Sequence, residues 1–164
     1  MKRQQGFTLI EIMVVVVIAA IMMGAVSMSF PQTGDDLLKE DAERFSALIS
    51  LMQDEAILQS RDMALAITDT GYEFFSREDS SWGAYSEGPF VPRQLRGEIR
   101  SQLYVEGLDV ELKTSEKTKP QILIYSSGEM TPLTYILGNG EGNSVITKIN
   151  AVGTIEQTYK RNDE

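Results

Sequence analysis

One apolar segment near the N-terminus limits what this chain can fold into. Residues 7–30 are almost continuously apolar, and Glu11 is the only charged residue among these 24. A helix of that length extends about 36 Å, which exceeds the ~30 Å hydrocarbon core of a bilayer. Lys2 and Arg3 precede the segment, so the positive-inside rule predicts a cytoplasmic N-terminus and export of everything that follows. We therefore expect residues 7–30 to form a transmembrane helix.

Glu11 separates three interpretations of this segment: a cleaved secretory signal, a plain membrane anchor, and a processed anchor that also assembles. The small residues Ala25 and Ser27 suit signal peptidase and favour the first. However, a carboxylate near the centre of a membrane helix costs about 2.5–3.5 kcal/mol, and a signal peptide gains nothing from it. Its cationic partner must come from another chain or from a newly made N-terminus, which favours an anchor that assembles.

The residues that surround Glu11 carry a family resemblance. Residues 2–11 read Lys-Arg-Gln-Gln-Gly-Phe-Thr-Leu-Ile-Glu, and this segment resembles the class III signal of the type IV pilin superfamily. The resemblance implies that prepilin peptidase removes residues 1–6 by cutting between Gly6 and Phe7, and that Phe7 is then N-methylated. It also implies that Glu11, the fifth residue after the cut, pairs with the new ammonium group of a neighbouring subunit. Such pairing relieves two buried charges at once and favours one register.

A second helix is predicted after the break at Pro31. From Leu38 onward, apolar residues recur every three or four positions, which indicates an amphipathic helix at about residues 35–60 that packs on a sheet. Asp35 or Asp36 is expected to cap its first turn, where anionic side chains suit the helix dipole.

The remaining residues, about 62–160, carry strand patterns separated by turn residues. Hairpins are predicted around Asp69-Thr70-Gly71, around residues 126–132 and around residues 150–153, and residues 77–100 are expected to form a long irregular loop. The fold class is therefore α+β and pilin-like: a long N-terminal helix, transmembrane and then amphipathic, packs on an antiparallel β-sheet domain. Residues 31–164 are expected to form a periplasmic domain.

The second half of the chain carries a narrower resemblance. Residues 54–61, 71–74 and 120–132 resemble the H-type (GspH-like) minor pseudopilin of type II secretion, and the Ser-Ser-Gly-Glu-Met-Thr-Pro segment at residues 126–132 is the most distinctive part. The resemblance implies a structural subunit of the pseudopilus that helps export folded proteins across the outer membrane. The alternative is a minor pilin of a type IV pilus, which serves pilus priming, motility or DNA uptake and shares the N-terminal motif.

The same resemblance implies partners and a location. The partners are the major pseudopilin, other minor pseudopilins, the prepilin peptidase/methyltransferase and an inner-membrane assembly platform. The location is the bacterial inner membrane, with one membrane pass, a periplasmic C-terminal domain and incorporation into the periplasmic pseudopilus.

Composition argues against several other functions. The chain has no cysteine and no histidine, which removes thiol nucleophiles and the commonest general base and metal ligand. We therefore expect no catalysis, no cofactor and no metal site. The formal charge is −9, and removal of Lys2 and Arg3 leaves 13 cationic side chains against 24 anionic ones, a net charge of −11. Nucleic-acid binding is not expected, because phosphate affinity is built mainly from lysine and arginine.

Two groups of residues within 77–104 leave alternatives open. Arg93, Arg96 and Arg100 form a small basic cluster, which indicates either a salt-bridged loop or a contact for DNA. The apolar residues of the long loop either form an exposed contact patch for a partner subunit or pack against the sheet, with equal support for each. They are Trp82, Tyr85, Phe90 and Val91.

Overall fold

The computed structural model describes residues 8–26, 33–112 and 119–162. The chain divides into two compact units, residues 1–32 and residues 33–164. In the first unit, helix α1 spans Leu9–Val26. Its start is capped by Thr8, because the Glu11 amide donates to the Thr8 carbonyl at 3.1 Å and to the Thr8 hydroxyl at 3.3 Å. Among the described residues, no helix combines the length and the apolar character needed to cross a membrane.

Helix α2, Gly34–Gln59, begins the second unit and matches the predicted amphipathic helix. The expected cap is wrong in one respect: Thr33, not an aspartate, is the N-cap residue. The Asp36 amide donates to the Thr33 hydroxyl at 3.2 Å, and the Thr33 amide donates back to the Asp36 carboxylate at 3.2 Å. This reciprocal pair is a capping box. The helix ends at Ser60, which adopts a left-handed conformation at φ +50°.

Within the described residues, ten strands follow α2 and form two five-stranded antiparallel sheets. Sheet 1 has the order β3-β2-β1-β7, with β4 also paired to β2. Sheet 2 has the order β10-β9-β8-β5-β6. The strands of sheet 1 are β1 Met63–Ile67, β2 Gly71–Glu78, β3 Ser81–Ala84, β4 Arg93–Gln94 and β7 Ile122–Ile124. The strands of sheet 2 are β5 Arg100–Val105, β6 Leu108–Val110, β8 Leu133–Gly138, β9 Ser144–Ile149 and β10 Ile155–Lys160.

The core lies between α2 and both sheets, because α2 contacts strands of each. The buried apolar residues of α2 follow the predicted spacing. They are Leu38, Ala42, Phe45, Leu48, Ile49, Met52 and Ala56. Phe45 packs on Tyr135 of sheet 2 with ring centroids 4.3 Å apart, and on Tyr72 of sheet 1 at 5.4 Å. One aromatic side chain of the helix therefore contacts both sheets.

The prediction of a hairpin around residues 126–132 is wrong, because the two strands that flank these residues do not pair with each other. β7 pairs with β1 in sheet 1, whereas β8 pairs with β5 and β9 in sheet 2. The chain turns back only briefly, through a bridge between Ile124 and Met130, and then crosses to the other sheet. Thr131 covers the outer edge of β7, since its amide donates to the Leu123 carbonyl at 2.8 Å and its hydroxyl accepts from the Leu123 amide at 3.0 Å.

The other two predicted hairpins are confirmed, as β1–β2 and β9–β10. The expected irregular loop at residues 77–100 is wrong in part. It holds the end of β2 and the strands β3 and β4, all of them in sheet 1. Glycine at position 71 permits the β2–β4 pairing, because a Cβ there would lie 2.1 Å from the Arg93 carbonyl oxygen.

Candidate assembly site

The sequence predicted three site residues, and the structure describes one of them. Gly6 and Phe7 lie outside the described residues, so the cleavage position stays a prediction. Glu11 lies in the first turn of α1 and is exposed. An anionic side chain suits this turn, because the unpaired amides of a helix N-terminus carry partial positive charge.

The side chains around Glu11 on α1 are apolar and uncovered. The eleven large apolar residues of α1 whose side chains are described, from Leu9 to Met22, are each more than half exposed. Within the described residues, no cationic group lies at salt-bridge distance from Glu11, and residues 8–26 contain no lysine or arginine. A helix that is apolar on all sides needs lipid or other protein around it, so α1 presents a surface built for burial with one unpaired carboxylate.

In the second unit, Asp35 joins the start of α2 to sheet 2. Its carboxylate accepts hydrogen bonds from the side-chain amide of Asn143 at 2.7 Å, the Tyr159 hydroxyl at 2.8 Å and the side-chain amide of Asn139 at 2.8 Å. These donors, the Asn143 amide first, hold the pKa of Asp35 below its usual range. The first turn of α2 is thereby fixed to the β8–β9 turn and to the last strand.

One member of the predicted basic cluster forms ion pairs. The Arg96 guanidinium lies 2.8 Å from the buried Asp41 carboxylate and 3.0 Å from Glu40. Arg44 also reaches Asp41, at 3.0 Å. The buried Asp41 carboxylate therefore lies between two arginines, Arg44 of the same helix and Arg96 of the segment before β5.

The other two arginines of the cluster do not join this network. Arg93 of β4 donates to the Pro89 carbonyl at 3.4 Å, and Arg100 of β5 donates to the Ile99 carbonyl at 3.1 Å. They lie in different sheets. The salt-bridged alternative therefore holds for Arg96 alone.

The four apolar residues of the predicted loop do not share one environment: two pack in the core and two are more exposed. Tyr85 and Phe90 are buried, and Phe90 packs on Phe74 of β2 with ring centroids 5.4 Å apart. Trp82 is half-buried, with the Arg77 guanidinium 5.1 Å from its ring, and Val91 is exposed. The buried pair belongs to the core, so these four residues do not form one exposed patch.

A surface groove of the second unit contains three charged residues, and they are not arranged as in a catalytic site. The groove between the β5–β6 turn and strands β8–β10 has a volume of about 350 Å³, and its charged residues are Glu106, Lys148 and Glu156. Among the described residues, no group of three or more acidic side chains is placed to hold a metal ion. The feature of the described chain that most constrains function is therefore α1 with Glu11.

Comparison with known proteins gives the family. A family model described as the prokaryotic N-terminal methylation motif matches residues 1–27. A second model, described as type II transport protein GspH, matches residues 41–153, which is more than half of the chain. The chain belongs to the GspH family. The H-type resemblance seen in the sequence is thus confirmed.

Relatives and a solved structure agree with this family. The type II secretion system protein H of Pseudomonas aeruginosa is 34% identical over 80% of this chain and 81% of its own length. Its namesake in Aeromonas hydrophila is 30% identical over 82% of this chain and 81% of its own length. The minor pseudopilin EpsH from the type II secretion system of Vibrio cholerae superposes with a TM-score of 0.65 at 20% identity, over 77% of this chain and 98% of EpsH. This likeness confirms the α+β pilin-like fold class of the GspH-family chain.

Proposed function

We propose that the chain is a structural subunit, a minor pseudopilin, of the type II secretion pseudopilus. The observation that carries the proposal is one GspH-family domain in the same chain as helix α1, whose described large apolar side chains are each more than half exposed and whose one charged residue is Glu11. A helix of this kind is built to be buried in lipid and among other helices. The relatives carry the name of secretion proteins rather than pilus proteins, which favours the secretion alternative over a type IV minor pilin.

Processing is the first step of the proposed function. Prepilin peptidase cuts between Gly6 and Phe7, and the new N-terminal Phe7 is methylated. The methylation motif that spans residues 1–27 supports this position. Cleavage removes Lys2 and Arg3 and creates an α-ammonium group four residues before Glu11.

Assembly is the second step. Glu11 of one subunit pairs with the ammonium group of a neighbour, and the pair is favoured because each charge is costly in an apolar environment without the other. The uncovered apolar side chains of α1 supply the packing surface. The charge pair fixes the axial register, and the apolar packing supplies most of the attraction.

The location and the partners follow from the same features. Residues 7–30 form a single membrane span with a cytoplasmic N-terminus, and residues 31–164 form the periplasmic domain. The subunit enters the periplasmic pseudopilus with the major pseudopilin and other minor pseudopilins, by way of an inner-membrane platform. Its contribution is mechanical rather than catalytic, because it supplies a surface and an anchor to a filament that moves exoproteins.

A clean deletion in the source bacterium tests the function. Exoproteins are expected to collect in the periplasm, surface pili and DNA uptake are expected to persist, and the plasmid-borne wild-type chain is expected to restore release. Intact secretion with loss of pili or uptake would instead assign the chain to a type IV pilus.

The intact mass of the purified chain tests the processing step. After co-expression with the peptidase, we expect loss of residues 1–6 and gain of one methyl group. Co-expression with an inactive peptidase is the control and should leave the full mass. A cut near Ser27 would indicate an ordinary secretory signal and contradict the pilin-type interpretation.

A further inference from the structure

The C-terminal end of α2 leaves apolar side chains uncovered on the second unit. The buried stripe of α2 ends at Ala56, but the next two residues are also apolar. Ile57 is 47% exposed and Leu58 is 80% exposed. Neither side chain belongs to the buried core, and Leu58 is the more exposed of the two.

Two turns bring more apolar surface to the same end of α2. Gln53 of α2 donates from one amide nitrogen to the Gly128 carbonyl at 2.5 Å and to the Val152 carbonyl at 3.2 Å. Val152, in the β9–β10 turn, is 69% exposed, and Tyr125, which opens the turn after β7, is 44% exposed. We call Ile57, Leu58, Tyr125 and Val152 the end patch.

Contacts within the patch region hold these three segments together. The Met130 amide donates to the Ala151 carbonyl at 2.9 Å, which joins the two turns directly. Ile57 packs against Gly128, where a Cβ would lie 3.1 Å from the Ile57 Cδ1 atom. Gly128 has φ +88°, a conformation that glycine adopts without strain. The patch is therefore formed before any partner binds, and binding to it costs little ordering of the backbone.

Acidic residues surround the end patch. Asp54 is exposed one helical turn before Leu58, and Glu129 is exposed beside Gly128. Asp62 accepts a hydrogen bond from the Ser126 amide at 2.9 Å, which places its carboxylate beside the turn after β7. Arg61 follows the C-terminal end of α2, but its guanidinium contacts other groups: it lies 5.9 Å from the Tyr85 ring centroid and donates to the Gln59 side chain.

This charge pattern selects the kind of partner. A second copy of the chain that binds through its own end patch would bring the same carboxylates to the contact and would be repelled, as would an anionic lipid surface. The complementary surface is apolar and flanked by lysine or arginine. We propose that the end patch docks a neighbouring pilin-like subunit with such a surface. The inference rests on the proposed function, because it takes the partner from the same filament.

Photo-crosslinking in the source bacterium tests the contact on the full-length chain. A benzophenone amino acid replaces Leu58 or Val152, and Leu108 serves as the matched control because it is equally apolar and 73% exposed but lies in β6. We expect crosslinks from positions 58 and 152 to another pilin-like subunit, at a yield on the order of tenfold above that from position 108. Crosslinks to a second copy, to lipid, or at equal yield from position 108 would overturn the proposal.

Charge variants supply a second measurement. Leu58→Lys combined with Val152→Lys places two cations opposite the lysine or arginine of the proposed partner, and both side chains are exposed enough for the fold to be retained. We expect exoprotein release to fall on the order of tenfold at unchanged protein abundance and Tm, with Leu108→Lys unaffected. Normal release from the double variant, together with blocked release in the deletion strain, would overturn the docking proposal and leave the proposed function standing. Normal release in the deletion strain would overturn the proposed function itself.

Discussion

Asp35 illustrates how a residue's role depends on partners that sequence spacing does not reveal. Its position in the first turn of α2 indicates a cap, but Thr33 and Asp36 form the cap between them. Asp35 instead accepts three hydrogen bonds from residues 104 to 124 positions away along the chain. A local pattern carries no information about such distant donors, whereas the motif on which the prediction of Gly6, Phe7 and Glu11 rests is contiguous in the sequence.

The hydrogen bonds to Asp35 give stability a pH dependence. Because they lower the pKa of Asp35 in the folded chain, their stabilisation is fully present above about pH 4 and is lost as the pH falls through the lowered pKa. Asp35→Asn should lower Tm at neutral pH and reduce the loss of Tm on acidification. Thermal unfolding of the purified chain in detergent, followed between about pH 2 and pH 7, measures both effects.

The control for this prediction is Asp54→Asn, on the exposed face of the same helix. It should leave both the neutral Tm and the acid dependence close to wild type. A steep acid dependence retained in full by Asp35→Asn would show that other carboxylates dominate, Asp36 among them, since the Thr33 hydroxyl and amide lower its pKa too.

At the level of elements, local signals were sufficient for α2 and for the β1–β2 and β9–β10 hairpins. Each has its pattern and its turn within one short stretch, so sequence reasoning found it. The pairing of β7 and β8 was predicted wrongly, because a turn sequence indicates that the chain reverses but not which sheet it enters next. β3 and β4 were missed for a related reason: they are two to four residues long and are defined by their pairing with β2.

The ion pair between Asp41 of α2 and Arg96 of the segment before β5 is expected to stabilise the packing of these two elements, and substitution tests this. Arg96→Met removes one of two arginines from the buried Asp41 carboxylate, and we expect a loss of about 2–3 kcal/mol in the free energy of unfolding, reduced because Arg44 remains. Denaturant unfolding of the full chain measures it. Arg100→Met, whose guanidinium reaches only a neighbouring carbonyl among the described contacts, should change stability by less than about 0.5 kcal/mol. Equal losses in the two variants would contradict a special role for Arg96.

For the whole molecule, the contrast between the two units is the main guide to function. The second unit has its own buried core, whereas the described part of the first is one helix whose described large apolar side chains are each more than half exposed. The sequence predicted this contrast from the length of the apolar segment and from one glutamate. It did not predict the end patch, since α2 and two turns from distant parts of the chain must meet to form it.

Glu11→Gln tests the proposed assembly step in the whole molecule. The substitution keeps size and removes charge, so cleavage at Gly6 should proceed while incorporation into filaments falls on the order of tenfold, which corresponds to about 1.4 kcal/mol. The fraction of the chain recovered with sheared or crosslinked pseudopili measures incorporation. Ile12→Leu, one residue away, is the control and should assemble normally. Normal assembly of Glu11→Gln would remove the charge pair from the mechanism.

The hydrogen bond from Tyr159 to Asp35 joins the start of α2 to the last strand, and it sets an order of events during synthesis. α2 leaves the ribosome long before β10, yet Asp35 and the helix carbonyl of Ala42 accept hydrogen bonds from Tyr159 and Gln157 of that last strand. These two contacts of the helix can therefore form only after the final strand has been synthesised, whereas its apolar stripe packs on β1, β7, β8 and β9, which precede that strand. A chain cut short before β10 would keep those core contacts but would lack both hydrogen bonds and leave β9 without its partner on that side, so proteolysis can distinguish incomplete chains from complete ones.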